Sequence, residues 1–180
     1  GINKNKNEAI SHLSNSELVV ITLGTSFIYK YLRTGKIVSN CHKIPQKEFE
    51  KKRLTISETV ASLKNIVELL NEINPNTKII FTVSPVRHWK DGAEENQRSK
   101  SILILSIDEI IKNKKNCFYY PSYEMMIDDL RDYRFYKDDL LHPTDFAVEY
   151  ISNKFIDSIF NDEAKVFMKE AFQIWTSLNH

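Results

Sequence analysis

The chain has 180 residues, 42% of them hydrophobic, which is enough for one globular domain with a single substantial core. Its 25 basic side chains oppose 24 acidic ones, so a formal net charge of +1 offers no general attraction to nucleic acid or to an anionic membrane. Small neutral or singly charged substrates fit that balance better than polyanions.

Two cysteines, Cys41 and Cys117, are too few for a disulfide framework and read as free thiols, a usage that favours a cytoplasmic location. No apolar run approaches the roughly 20 residues of a membrane span. The polar lead-in over residues 1–17, "GINKNKNEAISHLSNSE", lacks the apolar centre of a signal peptide. A start at Gly1 leaves an upstream leader open.

Residues 18–180 read as one domain. "ELVVITLGTS" is a short continuous apolar run ending at Gly24, as expected of a parallel strand buried on both faces. "FIYKYLRTGKIVSN" turns around Thr34-Gly35 and reads as a hairpin or two extended arms. From Thr55, "TISETVASLKNIVELLNEINP" carries a Thr55/Glu58 capping box. Ile56, Val60, Leu63, Val67 and Leu70 form one helical stripe, and Pro75 lies beyond the end.

"TKIIFTVSP" is a second buried strand, followed by the charged loop "VRHWKDGAEEN" and a helix through "QRSKSILILSIDEIIKN". "CFYYP" is a third strand, "SYEMMIDDL" a short helix and "RDYRFYKDD" irregular. A helix opens after His142 and runs to about Phe160, and "DEAKVFMKEAFQIW" closes the chain as one more. Strands alternating with helices predict an open, mostly parallel α/β sheet of the flavodoxin-like, three-layer α/β/α kind. Ligands bind such sheets beyond the C-terminal strand ends, where Gly24 to Ser26, Ser84 to His88 and the stretch from Tyr120 to His142 are expected to converge.

The chemistry rests first on Asp139 and His142. A histidine acting as general base needs a second group that fixes its tautomer and stabilises the imidazolium as it forms. Three residues apart in a loop that enters a helix, the two side chains can turn back on each other, with Thr144 or Asp145 as the helix cap and Pro143 near its first turn. The plainer reading makes His142 a helix-start residue and Asp139 a solvated acid, and spacing alone does not decide between them.

The blocks "LVVITLGTSFIY", "VSNCHKIP", "FTVSPVRHWKDG", "NQRSK", "YYPSYEMMIDDLRDYRFY" and "DDLLHPTDFAVEYI" resemble the GSCFA family, a branch of the SGNH hydrolase superfamily, over about Leu18 to Phe160. The resemblance implies a three-layer α/β/α fold, an acyl-ester hydrolase or O-acyltransferase, and Asp139 and His142 as the last catalytic block with His142 as base. It implies no cofactor, and as substrate a small ester or acylated carbohydrate-like molecule. It also places the nucleophilic serine just after a first strand, in a Gly-Ser-Cys-Phe-Ala segment that does not occur here. The expectation is a chain lacking its first strands, with the serine upstream. The strand at Leu18 to Leu23 then presents an open edge that could recruit a second copy as a homodimer or be covered by the N-terminal segment.

The resemblance further expects Gly-x-Asn after that strand, the Asn donating to the oxyanion, whereas Gly24-Thr25 is followed by Ser26. Gly24 and Asn40 are the candidate oxyanion donors. Ser26 is a nucleophile only if the chain is complete, and otherwise a turn residue. Arg87 could pair a substrate carboxylate or phosphate through two parallel hydrogen bonds, or pair internally with an acid from the Asp128 to Asp139 supply, and His88 sits beside it. His42, His88, His142 and Cys41 show no metal-binding spacing, and neither GxGxxG nor a Walker motif occurs. The rival to an enzyme is a binding or scaffold module on the same fold.

Overall fold

The computed structural model describes residues 2–38 and 44–178. Two compact units divide the chain, Gly1–Tyr123 and Glu124–His180. In the first, α1 (Ile2–Ser14) precedes β1 (Leu18–Leu23), β2 (Phe27–Tyr31), β3 (Ile37–Val38) and β4 (Phe49–Arg53). Then come α2 (Ile56–Ile73), β5 (Lys78–Val83), α3 (Gly92–Asn113) and β6 (Cys117–Tyr120). The short helix α4 (Ser122–Ile127) carries the chain onward to α5 (Asp145–Ile159) and α6 (Asp162–Leu178).

Three parallel strands in the order β1-β5-β6 form the main sheet, paired Leu18 with Lys78 through Leu23 with Val83, and Ile79 with Cys117 through Thr82 with Tyr120. Flanked by helices, this sheet agrees with the α/β/α class. The central position of β5 explains why Ile79 to Val83 are all buried, as a continuous apolar run predicts. On one face, Ile79, Phe81 and Val83 meet Val60, Leu63 and Val67 of α2 and Leu103, Ile107 and Ile110 of α3. Both crossover helices on one side follow from two same-direction steps with a common hand. Among the described residues β1 pairs with β5 alone and is an edge strand on which Val20 is exposed.

The hairpin at Gly35 forms as β2 against β3, with Gly35 at φ 67 where an L side chain is disfavoured. Its extension is not foreshadowed: β4 pairs along β2 from Phe27 with Arg53 to Tyr31 with Phe49, making a second, antiparallel sheet in the order β3-β2-β4. The charged string "FEKKR" hides this strand, because four of its five residues are charged: Glu50 is exposed, and Lys51, Lys52 and Arg53 pair with Asp91, Glu58 and Glu95. The polar lead-in is helical as well, and the chain after it is tied down where Asn74 Nδ2 donates to the Ser14 and Ser16 carbonyls and Thr77 Oγ1 to Ser16.

α2 begins as predicted: Thr55 Oγ1 accepts from the Glu58 amide and the Glu58 carboxylate accepts from the Thr55 amide. α3 starts earlier than its apolar stripe suggests, at Gly92 rather than Gln97. The charged segment is the first turn itself: Glu94 and Glu95 favour the positive end of the helix, and Arg98 bridges to both at 2.5 and 2.9 Å.

The second unit has its own small core of Met126, Leu130, Tyr136 and Ala147, with Phe135, Tyr150 and Ile151 packed around it. Arg131 pairs with Asp128 and Arg134 with Asp132, charge-paired packing of the acidic loop. Among the described residues, no helix is long and apolar enough to cross a membrane.

Candidate functional site

The Asp139–His142 turn is built from the backbone outward. Tyr136 and Pro143 form an isolated bridge, the Lys137 amide donates to the His142 carbonyl at 2.8 Å, and the Leu140 amide to the Lys137 carbonyl at 2.8 Å. Closing so tight a loop forces Leu140 to φ 57, the one left-handed non-glycine among the described residues. That reversal brings both the Leu141 and His142 amides onto Asp139 Oδ1, at 2.8 and 2.9 Å. The other oxygen, Oδ2, accepts from His142 Nδ1 at 2.6 Å.

Each atom of the pair therefore has a defined role. The His142 amide and then its ring, together with the Leu141 amide, hold the Asp139 carboxyl at a pKa of about 2. With its proton on Nδ1, the imidazole keeps Nε2 as the basic nitrogen. The His142 side chain is 56% exposed. Thr144, not Asp145, caps α5 through the Ala147 amide, and His142 stands outside the helix rather than serving as its cap.

In the first unit the strand ends bring Gly24, Ser26 and His88 together. His88 Nε2 and Lys100 Nζ both donate to the Gly24 carbonyl, at 3.0 and 2.7 Å, and Lys100 also donates to the Ser84 carbonyl at 2.7 Å. Lys100 is fully buried and ties the end of β1 to the end of β5. Desolvation lowers its pKa to about 8. Burial also lowers the His88 pKa, opposed by its bond to Gly24.

Ser26 is 2% exposed and serves this same lattice. Its amide and its hydroxyl both donate to Ser99 Oγ, at 2.8 and 3.1 Å, which leaves the Ser99 proton for Thr25 Oγ1 at 3.0 Å. Thr25 Oγ1 in turn accepts from the Phe27 amide. The Ser26 proton is thus committed to Ser99. Arg87 lies 5.6 Å over the Trp89 ring. Asn40, the other proposed oxyanion donor, lies outside the described residues, as do Cys41 and His42. Among the described residues no His, Cys, Asp and Glu cluster could hold a metal ion.

Ser99 and Lys100 carry much of this arrangement, although the sequence marks them only as part of the "NQRSK" block and of a helix, with no role of their own. A signal exists: Asn96, Ser99 and Lys100 sit on the buried stripe of α3 with Leu103, Ile107 and Ile110, and polar groups on a core-facing stripe need partners.

An α/β chain with a parallel sheet, a buried polar lattice at its strand ends and an Asp–His turn is the class of protein defined so far. The GSCFA family model matches residues 1–155, and the chain belongs to the GSCFA family. No curated protein matches it.

Proposed function

We propose that this chain contributes the acid–base half of a serine hydrolase or O-acyltransferase acting on ester bonds. The observation that carries it is the 2.6 Å bond from His142 Nδ1 to Asp139 Oδ2 on an imidazole side chain that is more than half exposed. In this reading His142 Nε2 takes the proton of a serine as its oxygen attacks the ester carbonyl. It then gives that proton to the departing alkoxide, leaving an acyl-enzyme. Water or an acceptor hydroxyl, deprotonated by the same nitrogen, releases the acyl group. Asp139 holds the tautomer and stabilises the imidazolium. The left-handed Leu140 supports the reading, since backbone strain persists where a site over-determines it.

The substrate expected is a small ester or an acylated carbohydrate-like molecule. A second reading, a binding module on the same fold, draws support from Ser26: it stands where the resemblance expects an oxyanion Asn, and its hydroxyl is engaged by Ser99. A fluorophosphonate that labels activated serines separates the two. Stoichiometric labelling of the natural full-length protein, lost in His142→Ala together with at least about a thousandfold of ester turnover, supports the enzyme, and peptide mapping of the adduct identifies the nucleophile. Unlabelled protein, or labelling indifferent to His142→Ala, favours the binding module.

A further inference from the structure

A cavity of about 490 Å³ opens between the small antiparallel sheet and the turn from His88 to Asp91. β2 places Phe27 and Tyr29 two residues apart on one face, with Val38 and Lys51 opposite Tyr29 on its two neighbours. His88 and Asp91 contribute to the lining. Lys51 Nζ is paired to Asp91 and lies 4.5 Å from the Phe27 ring centre and 5.7 Å from that of Tyr29. The volume falls within the roughly 300–1,000 Å³ of small-molecule sites.

The charges select the ligand. An anion attracted by Lys51 meets Asp91, and a cation attracted by Asp91 meets Lys51, so neither gains net attraction. A purely apolar chain would cover Phe27, Tyr29 and Val38 but would strip water from the Lys51–Asp91 pair without replacing its hydrogen bonds. A hydroxyl group answers both halves of that pair, accepting from Lys51 and donating to Asp91. His88 adds an acceptor: its Nε2 proton is spent on the Gly24 carbonyl, which leaves Nδ1 with a free lone pair. Beside the Lys51 ammonium, which lies over the two aromatic rings, Phe27, Tyr29 and Val38 supply apolar lining for the C–H groups of a saturated ring.

We propose that this cavity binds an uncharged polyhydroxylated ring, a pyranose sugar. Its C–H groups lie against the apolar lining of Phe27, Tyr29 and Val38, and its hydroxyls reach Asp91, Lys51 and His88. Occupancy requires neither His142 nor an ester bond, so it stands or falls separately from the hydrolase reading.

The test is amide chemical-shift titration of the whole chain with methyl glucopyranoside, galactopyranoside and mannopyranoside, to about 50 mM, because a single sugar held by a few hydrogen bonds binds at about 1 mM. At least one should shift the Phe27, Tyr29, Lys51, His88 and Asp91 amides saturably. Asp91→Asn should weaken that glycoside about tenfold. Tyr29→Leu, which keeps apolar bulk, should also weaken it several-fold and decides the matter if Asp91→Asn does not fold. His142→Ala should leave binding unchanged. No saturable shift with any of the three glycosides, tighter binding of octanoate or inorganic phosphate at the same amides, or affinity untouched by whichever of the two cavity variants folds would each overturn the proposal.

Discussion

Asp139 engages His142 twice, through Oδ1 to the backbone amide at 2.9 Å and through Oδ2 to the ring Nδ1 at 2.6 Å. One carboxylate thereby sets both the course of the chain into α5 and the orientation of the imidazole. Backbone and side-chain functions of Asp139 can be separated experimentally.

Asp139→Asn keeps an oxygen able to accept the two amides but removes the anion that stabilises the imidazolium. If His142 is the catalytic base, kcat for ester turnover should fall about 10³- to 10⁴-fold with the fold retained. Steady-state kinetics with a chromogenic ester, alongside circular dichroism, checks this, and unchanged kcat would remove Asp139 from the mechanism. The carboxyl also reports by titration. Its folded pKa, about 2, lies below the ordinary 3.8, so its contribution to the turn is fully present above pH 3.8 and is lost as the pH falls through about 2. The Leu141 and His142 amide shifts should titrate with a midpoint near 2, and a midpoint near 4 would contradict the hydrogen bonding described.

Leu140 carries a left-handed backbone at φ 57, a conformation that Asn tolerates better than Leu. Leu140 is half exposed, so little packing is lost on its replacement. Leu140→Asn should raise the stability of the second unit by about 0.5–1 kcal/mol, measurable by urea denaturation. A loss of more than about 1 kcal/mol would show that the Leu140 side chain matters more than its backbone strain.

Ser99 is fully buried and is the hydrogen-bond partner of both the amide and the hydroxyl of Ser26. Ser99→Ala strands two buried donors and should cost about 1–3 kcal/mol in chemical denaturation. A neutral outcome would mean that water or a shifted side chain reaches Ser26 readily.

Lys100 binds more weakly to its proton when folded, at about 8 against 10.5 for the free side chain. Between those values the unfolded chain holds a proton that the folded chain has released, so stability must rise with pH across that window, by at most about 1.4 kcal/mol per pH unit from this one group. The neutral amine keeps two N–H donors, enough for the Gly24 and Ser84 carbonyls. Denaturation of the parent and Lys100→Met at pH 7, 8, 9 and about 10 should show the parent gaining on the variant throughout the rise. Parallel pH profiles would mean that Lys100 titrates as an exposed lysine.

What was legible in the sequence is what short-range chemistry settles. The apolar run Ile79 to Val83 can satisfy its side chains only as a strand covered on both faces, and Thr55 with Glu58 closes a capping box within three residues. The Asp139–His142 contact is equally local, yet spacing alone offered it only as one of two readings, because two side chains three residues apart can also turn away from each other. Other features needed the folded chain. The charged strand β4 exists because β2 offers it hydrogen bonds and Asp91 and Glu95 accept Lys51 and Arg53, partners 40 and 42 residues away. Lys100 reaches back 76 residues to the Gly24 carbonyl, and Ser26 takes its partner from 73 residues on. Periodicity marks such residues only as polar groups on an apolar stripe. Which partner satisfies each is decided when α3 docks on the sheet and excludes water.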